Sequence, residues 1–162
     1  MVYLLIETII LCALFWGICY INTGNDEKNM KSFLSYPDEV QCIIKENSKL
    51  KSKIKTTSPF LSFISNMALF GVVLFLFGLM IRQDRFISNF FNILILGQIL
   101  NVFDFVFIDM VWWRNSKRIR FTEIENNQAL YRSPRKHFNS FLKGIALFFL
   151  VAIMDGFLLS ML

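Results

Sequence analysis

Residues 103–121 read FDFVFIDMVWWRNSKRIRF and hold four kinds of side chain in a fixed order. An apolar run that carries Asp104 and Asp109 is followed by Trp112 and Trp113, and then by a dense basic cluster. Tryptophan rings prefer the headgroup level of a bilayer, and Lys and Arg collect on its cytoplasmic side. The stretch therefore predicts the inner end of a membrane-spanning helix, with the chain beyond it in the cytoplasm.

The composition of the whole chain points to the same environment. The chain has 162 residues and is 55% hydrophobic and 18% charged, whereas soluble domains are about 25% charged. A bilayer span needs about 20 mostly apolar residues, and in lipid such a run must be helical. Four runs qualify, at residues 2–21, 60–81, 86–111 and 138–162. The prediction is an all-α integral membrane four-helix bundle that forms one membrane domain.

Basic residues are distributed unevenly among the connections between these runs. Residues 22–59 hold seven Lys or Arg, residues 112–137 hold seven more, and the short connection RQDR at 82–85 holds two. Loops rich in Lys and Arg stay on the cytoplasmic side of the membrane. We therefore expect both long loops in the cytoplasm and both termini outside, in a multi-pass protein of the cell (plasma) membrane.

The tryptophan pair and the basic run after it form a predicted membrane-interface segment. Its members are Trp112, Trp113, Arg114, Lys117 and Arg118. Each Lys or Arg near the surface is attracted to anionic lipid by about 1 kcal/mol, so a bilayer with anionic headgroups is the first expected partner. The segment serves either as a topology anchor or as a pocket that recognises a headgroup.

The first long loop contains a predicted amphipathic helix within residues 35–54. Ser35 and Asp38 have the spacing of a capping box, and Pro37 suits a first helical turn. Apolar side chains recur on one face and lysines on another, over about 15 residues. We expect this helix to lie in the inner membrane interface with its apolar side down. The alternative is that it docks on a partner subunit or on the second loop.

Polar side chains lie inside the third and fourth predicted spans, and Glu7 lies inside the first. In the third span, Gln98, Asn101 and Asp104 follow helical spacing beside Gly97, and the fourth span carries Asp155. A polar group in lipid needs a partner, water or a proton. These four polar residues are therefore candidates for a ligand-binding site, and the alternative is that they hold the helices together.

The third and fourth spans also carry a predicted ion pair. Lys143 falls near the inner end of the fourth span, and Asp109 and Asp104 fall toward the inner end of the third. We therefore expect Lys143 to pair between helices with Asp109, or alternatively with Asp104. Asp109 follows Asp104 by five residues, which in an α-helix is a rotation of about 140°. The two carboxylates are therefore expected on different faces.

Motifs that carry chemistry are missing from the sequence. It has no phosphate-binding loop, no dinucleotide fingerprint and no zinc-protease motif. The single histidine, His137, and the three cysteines form no metal or redox motif. No catalytic residue, metal, cofactor or nucleic-acid partner is predicted, which favours a non-enzymatic role. A cluster of His137, Glu123 and Asp109 around a cavity would instead favour an enzyme that acts on lipid.

Three segments carry a resemblance to a protein family. They are SYPDEVQ at 35–41, LGQILNVFDFVFIDMVWWRNSKRIRF at 96–121, and the spaced residues of Y..P.KHF.SFLKGI at 131–145. In these segments the chain resembles uncharacterised small four-span membrane proteins of Gram-positive, clostridia-like bacteria, which are sometimes labelled ABC transporter permeases. The resemblance implies a bacterial inner-membrane protein and transfers no residue role. Since no ATPase is encoded here, it also implies a protein partner or a homo-oligomer.

Two function hypotheses follow from these observations. The first is a transporter-associated or membrane-complex subunit whose cytoplasmic loops contact a partner. The second is a stand-alone binder of a lipid or small ligand through the intramembrane polar residues.

Overall fold

The computed structural model describes residues 2–54 and 58–162, so Lys55, one of the basic residues of the first loop, lies outside the described residues. The described chain forms seven α-helices and contains no strand, which confirms the all-α prediction. The helices are α1 Val2–Ile21, α2 Asp26–Asn29, α3 Asp38–Glu46, α4 Ser48–Lys51, α5 Pro59–Met80, α6 Phe86–Phe103 and α7 Arg135–Met161. A π-helix, Asp104–Trp113, continues α6.

Four helical stretches are long and apolar enough to cross a membrane. They are α1, α5, α6 with its π-helical continuation, and α7. Each matches one predicted run to within about three residues at either end, so the four-span prediction is confirmed in helix length and composition. α7 begins at Arg135, ahead of the predicted residue 138. It begins directly after Pro134, a residue that is tolerated at the start of a helix but not in its interior.

The third span changes its helix type at Asp104. A π-helix joins each residue to the one five positions further on, so residues five apart lie close to the same face. Asp104 and Asp109 therefore share a face of the π-helix Asp104–Trp113. The expectation that they lie on different faces is wrong, because it assumed the α-helical spacing of 3.6 residues per turn.

The chain packs as two compact units. The span unit consists of Met1–Ala13, Thr57–Phe103 and Phe141–Leu162. The loop unit consists of Leu14–Thr56 and Asp104–Ser140, and it contains both long connections.

The loop unit is built around an aromatic core. Tyr36 is fully buried at its centre, and its ring lies 5.1 Å from the Trp113 ring and 4.9 Å from the Phe121 ring, measured between centroids. The Tyr36 hydroxyl donates a hydrogen bond of 2.6 Å to the carbonyl of Ile119. Tyr36 belongs to the first long loop, Trp113 is the last residue of the third span, and Ile119 and Phe121 follow that span. The two connections therefore fold together.

Helix α3 buries its apolar face in this core. Val40 and Ile44, one turn apart, are both 0% exposed, whereas Lys45, the residue after Ile44, is exposed. Burying a side chain of this size contributes about 1.5–3 kcal/mol. The apolar face of this helix therefore packs on residues of the second loop, which is one of the contacts expected for it.

The ends of α3 differ from the predicted helix. The predicted capping box is wrong, because α3 begins at Asp38 with Pro37 before it and no side chain caps its first turn. The predicted length is also wrong, since the helix stops at Glu46. Asn47 then accepts hydrogen bonds from the backbone amides of Lys49 and Leu50 and begins the separate short helix α4. An Asn side chain that binds nearby amides competes with helix continuation.

Small residues bring the helices of the span unit close together. A Cβ placed on Gly97 of α6 would lie 2.7 Å from a ring carbon of Phe148 on α7. One placed on Gly156 would lie 3.0 Å from the backbone of Phe90. Both glycines therefore allow close helix packing.

Candidate functional site

Two predicted polar residues of the third span are engaged by the fourth. Asn101 is 6% exposed, and its amide nitrogen donates to the carbonyl of Phe141 at 3.1 Å. Gln98 donates to the carbonyl of Ile145, also at 3.1 Å. Both acceptors belong to α7, so each amide links one membrane-spanning helix to another. The arrangement is the one expected of residues that hold helices together in lipid.

Two carboxylates of the span unit are buried without such a link. Asp155 is 3% exposed and Glu7 is 7% exposed. Among the described residues, neither Asp155 Oδ2 nor Glu7 Oε2 has a hydrogen-bond partner. A carboxyl group in this position is held in its neutral form or meets a partner from outside the chain. Asp155 therefore remains a candidate binding residue.

The loop unit contains a polar pair formed by Asp109 of the π-helix and His137 near the beginning of α7. His137 Nδ1 lies 2.8 Å from the Asp109 carboxylate, and the two side chains are 5% and 13% exposed. The sequence predicts Lys143 as the partner of Asp109, whereas the partner observed in the structure is His137. The side chain of Lys143 is exposed. Asp104, on the same face of the π-helix as Asp109, is half-buried.

The His137–Asp109 pair resembles the orienting half of a catalytic triad. A carboxylate that binds one ring nitrogen of a histidine leaves the other nitrogen to act on a proton or a metal. Here His137 Nε2 is buried without a partner among the described residues, and its ring packs on Trp113 with centroids 5.8 Å apart. Glu123, the third residue of the predicted enzyme cluster, lines a groove with Glu46 and Lys49 instead. The pair is therefore closed to a substrate in this structure.

The predicted membrane-interface segment has a different role at each of its ends. Trp113 is only 7% exposed and belongs to the aromatic core, so its ring packs on protein. Trp112 and Arg114 are half-buried, and Lys117 is exposed. Only part of this segment is therefore available to lipid headgroups.

Arg118 closes the end of α1. Its Nη2 donates to the carbonyls of Tyr20 and Thr23 at 3.2 and 3.0 Å, and its Cζ lies 4.0 Å from the centroid of the Tyr20 ring. The last carbonyls of a helix lack partners within the helix and attract positive charge. Gly24 makes the approach possible, because it has a φ of 116° and a Cβ there would lie 2.7 Å from Arg118 Nη2. Arg118 thus serves as a helix cap.

Exposed ion pairs connect segments at the surface of the loop unit. Lys136 Nζ lies 2.7 Å from the Asp38 carboxylate, and this hydrogen bond and charge hold the pKa of Asp38 below its ordinary value. Lys53 similarly binds Glu27 at 2.8 Å and lowers its pKa. Exposed pairs of this kind contribute little to stability because solvent screens them. These pairs hold the surface segments in position more than they raise the free energy of unfolding.

A cleft that the sequence did not reveal lies beside the short connection between α5 and α6. It has a volume of about 520 Å³ and lies in the span unit. Its residues are Tyr3, Leu4, Met80, Ile81, Arg82, Gln83, Ile87, Ser88, Phe91 and Asn92. None of the predicted site residues lines it. The signal for it in the sequence is the group of polar residues at 82–92.

Comparison of the chain with protein-family models, curated proteins and solved structures finds no match.

Proposed function

We propose that this chain is a transporter-associated or membrane-complex subunit, and that its loop unit binds a protein partner. One observation carries the proposal: the two long connections fold on a common buried core with Tyr36 at its centre. Connections that only join spans need no such core. A surface that is ordered before binding loses less conformational entropy when a partner docks.

The proposed orientation places the loop unit in the cytoplasm and both termini outside. The charge distribution supports it, because both basic connections belong to this unit and the short connection at 82–85 does not. The resemblance to small clostridial membrane proteins supports a bacterial inner membrane.

The surface of the loop unit supports a partner with an acidic face. Its exposed basic side chains are Lys31, Lys45, Lys49, Lys51, Lys53, Lys117, Arg132 and Arg135. Glu27 and Asp38, two of its exposed acids, are paired internally with Lys53 and Lys136. Complementary charge speeds association and selects the partner more than it adds affinity. Anionic headgroups attract the same surface where it approaches the bilayer.

The alternative function, a stand-alone binder through the intramembrane polar residues, has less support. Asn101 and Gln98 use their amide nitrogens on carbonyls of α7. A ligand at this position would have to replace those bonds. Asp104 and Asp155 are the residues on which the alternative now depends.

Purification of the full chain from its native host in a mild detergent, with mass spectrometry of the co-purifying protein and lipid, tests the proposal. We expect a protein present in stoichiometric amount. A chain that purifies alone, or only with copies of itself, would count against a subunit with a separate partner. An enriched lipid or small molecule on a chain without protein partners would favour the alternative.

Charge-reversal variants identify the surface responsible. Lys45→Glu combined with Lys49→Glu changes two exposed positions of α3 and α4 and leaves the core intact. The matched control is Arg85→Glu, an exposed position outside the loop unit. We expect the double variant to lose the partner and the control to retain it. Equal recovery of the partner with both would show that the loop unit is not the docking surface.

A further inference from the structure

The cleft beside the short connection has one polar end and one apolar wall. Arg82, Gln83, Ser88 and Asn92 line the polar part, and Leu4, Met80, Ile81, Ile87 and Phe91 line the apolar part. The connection joins the end of α5 to the beginning of α6, two helices long and apolar enough to cross a membrane. The polar part therefore lies at the headgroup level, and the apolar wall continues toward the hydrocarbon.

The polar part of the cleft is held in place before any ligand binds. Asn89 is 1% exposed and makes two hydrogen bonds to the backbone of Gln83, at 2.7 and 2.8 Å. Asn92 donates to the carbonyl of Ile81 at 3.2 Å. These bonds fix the path of the connection. A site that is already ordered binds its ligand at a smaller entropic cost.

Arg82 is the charged group of this site. Its Nε donates to the carbonyl of Leu159 at 3.0 Å, which anchors the guanidinium. Among the described residues, its two terminal nitrogens have no protein acceptor. A planar guanidinium presents such nitrogens to a phosphate as a pair of donors. The first turn of α6, which supplies Ile87 and Ser88, adds the partial positive charge of a helix N-terminus. Asp84, the acid of the connection, does not line the cleft.

We infer that this cleft binds an anionic amphiphile, with a phosphate headgroup on Arg82 and an acyl chain along Ile87 and Phe91. The volume of about 520 Å³ accommodates a headgroup and the first part of a chain but not a whole lipid, whose remaining length lies in the bilayer. The phosphate is the feature recognised, and the apolar wall selects a lipid over a free phosphate. The inference is independent of the protein partner proposed for the loop unit.

The test measures binding of three probes to the purified full chain in a mild detergent. They are dihexanoyl phosphatidylglycerol, dihexanoyl phosphatidylcholine and glycerol 3-phosphate. We expect the first to bind most tightly, because it alone combines a net negative charge with acyl chains. Equal Kd values for the two lipids would overturn the anion site. If glycerol 3-phosphate binds as tightly as the anionic lipid, the acyl chains contribute nothing to binding and the ligand is not an amphiphile.

Substitution of the arginine locates the site. Arg82→Gln is expected to raise the Kd for the anionic lipid about tenfold, because a hydrogen bond to a charged group is lost. The control is Arg85→Gln, an exposed arginine of the same connection that does not line the cleft, and its Kd should equal that of the wild type. An unchanged Kd in Arg82→Gln would place the binding elsewhere.

A second pair of variants covers the case in which Arg82→Gln fails to fold without its bond to Leu159. Ile87 is 55% exposed in the first turn of α6, where a carboxylate is tolerated. Ile87→Glu should weaken binding of the anionic lipid more than Ile87→Gln, because only the former repels a phosphate. The same Kd in both variants would exclude a phosphate at this position.

Discussion

Asn101 shows at the scale of one residue how structure separates two roles that the sequence leaves open. A polar side chain inside a span is either a binding group or a helix–helix link. The sequence leaves both roles open for Asn101, and in the structure its amide donates to the Phe141 carbonyl. The same amide lies over Gly144, where a Cβ would collide with it. The glycine and the amide thus form one packing unit.

This packing unit predicts strong coupling between two substitutions. Asn101→Ala should lower the unfolding free energy by about 0.6 kcal/mol, the average for such bonds in lipid. Gly144→Ala should cost about 1–3 kcal/mol by overpacking, because the new methyl displaces the amide from Phe141. The double variant has no Asn101 amide for the new methyl to displace. Its loss of unfolding free energy should therefore be smaller than the sum of the two single losses by about 0.5–3 kcal/mol.

Denaturant titration in mixed micelles measures this cycle. Gly17→Ala is the control, since a Cβ there meets nothing within 4 Å. Additive costs for Asn101→Ala and Gly144→Ala would show that the two residues do not form a unit.

Tyr36 predicts how the loop unit responds to alkaline pH. Burial raises the pKa of Tyr36 above its ordinary value. A group with a raised folded-state pKa contributes its full stability below the unfolded-state pKa, about 10 for tyrosine. As the pH rises further, the unfolded chain ionises first and that stability is lost. Tyr36→Phe should therefore reduce the alkaline loss of stability, while costing about 0.5–1.5 kcal/mol near neutral pH for its bond to Ile119.

Near-ultraviolet absorbance of tyrosinate, followed together with unfolding, tests this expectation. Tyr3→Phe serves as the control, because Tyr3 is 72% exposed and lies outside the loop unit. If Tyr36→Phe leaves the alkaline transition where it is in the wild type, Tyr36 does not govern it.

At the scale of elements, the sequence predicts the spans well and their local geometry poorly. Four long apolar runs identify four helices, because lipid permits no other hydrogen-bonded form for such runs. A helix that is apolar on all sides has no hydrophobic period, so nothing marks the change from α6 to the π-helix at Asp104. For the same reason, the sequence does not predict that Asp109 pairs with His137. Sequence patterns do not predict the cleft, because its lining combines Tyr3 with Phe91, and these residues are distant in the sequence.

The observed contact predicts which residue is coupled to Asp109. Asp109→Asn and His137→Gln each break a nearly buried pair that joins the π-helix to α7. The cycle formed by these two variants should show a coupling of about 0.5–3 kcal/mol in unfolding free energy. A cycle of Asp109→Asn with Lys143→Ala is the comparison. A larger coupling to Lys143 than to His137 would restore the pair that the sequence predicts.

At the scale of the whole molecule, the ability of the chain to cross a bilayer and the direction in which it crosses depend on different residues. The apolar helices establish that a bilayer can hold the chain, and this follows from length and composition alone. The direction in which the chain crosses depends on the basic residues, which the bilayer sorts during insertion. The loop unit joins the two long connections, because the Tyr36 hydroxyl of the first donates a hydrogen bond to the Ile119 carbonyl of the second. Both connections must therefore lie on one side, and a single accessible position in the unit reports on both.

Cys42 provides that position, because it is exposed on α3 and is not in a disulfide. In a chain with Cys12→Ala and Cys19→Ala, a membrane-impermeant maleimide should leave Cys42 unlabelled in intact cells and label it after the membrane is opened. The physical reason is the excess of Lys and Arg in both connections of the loop unit, which keeps them inside. The control is Asp84→Cys in the same background, an exposed position in the short connection that should be labelled in intact cells. Labelling of Cys42 from outside, with Asp84→Cys protected, would invert the topology. The proposed docking surface would then face the exterior, and a cytoplasmic partner such as an ATPase could not reach it.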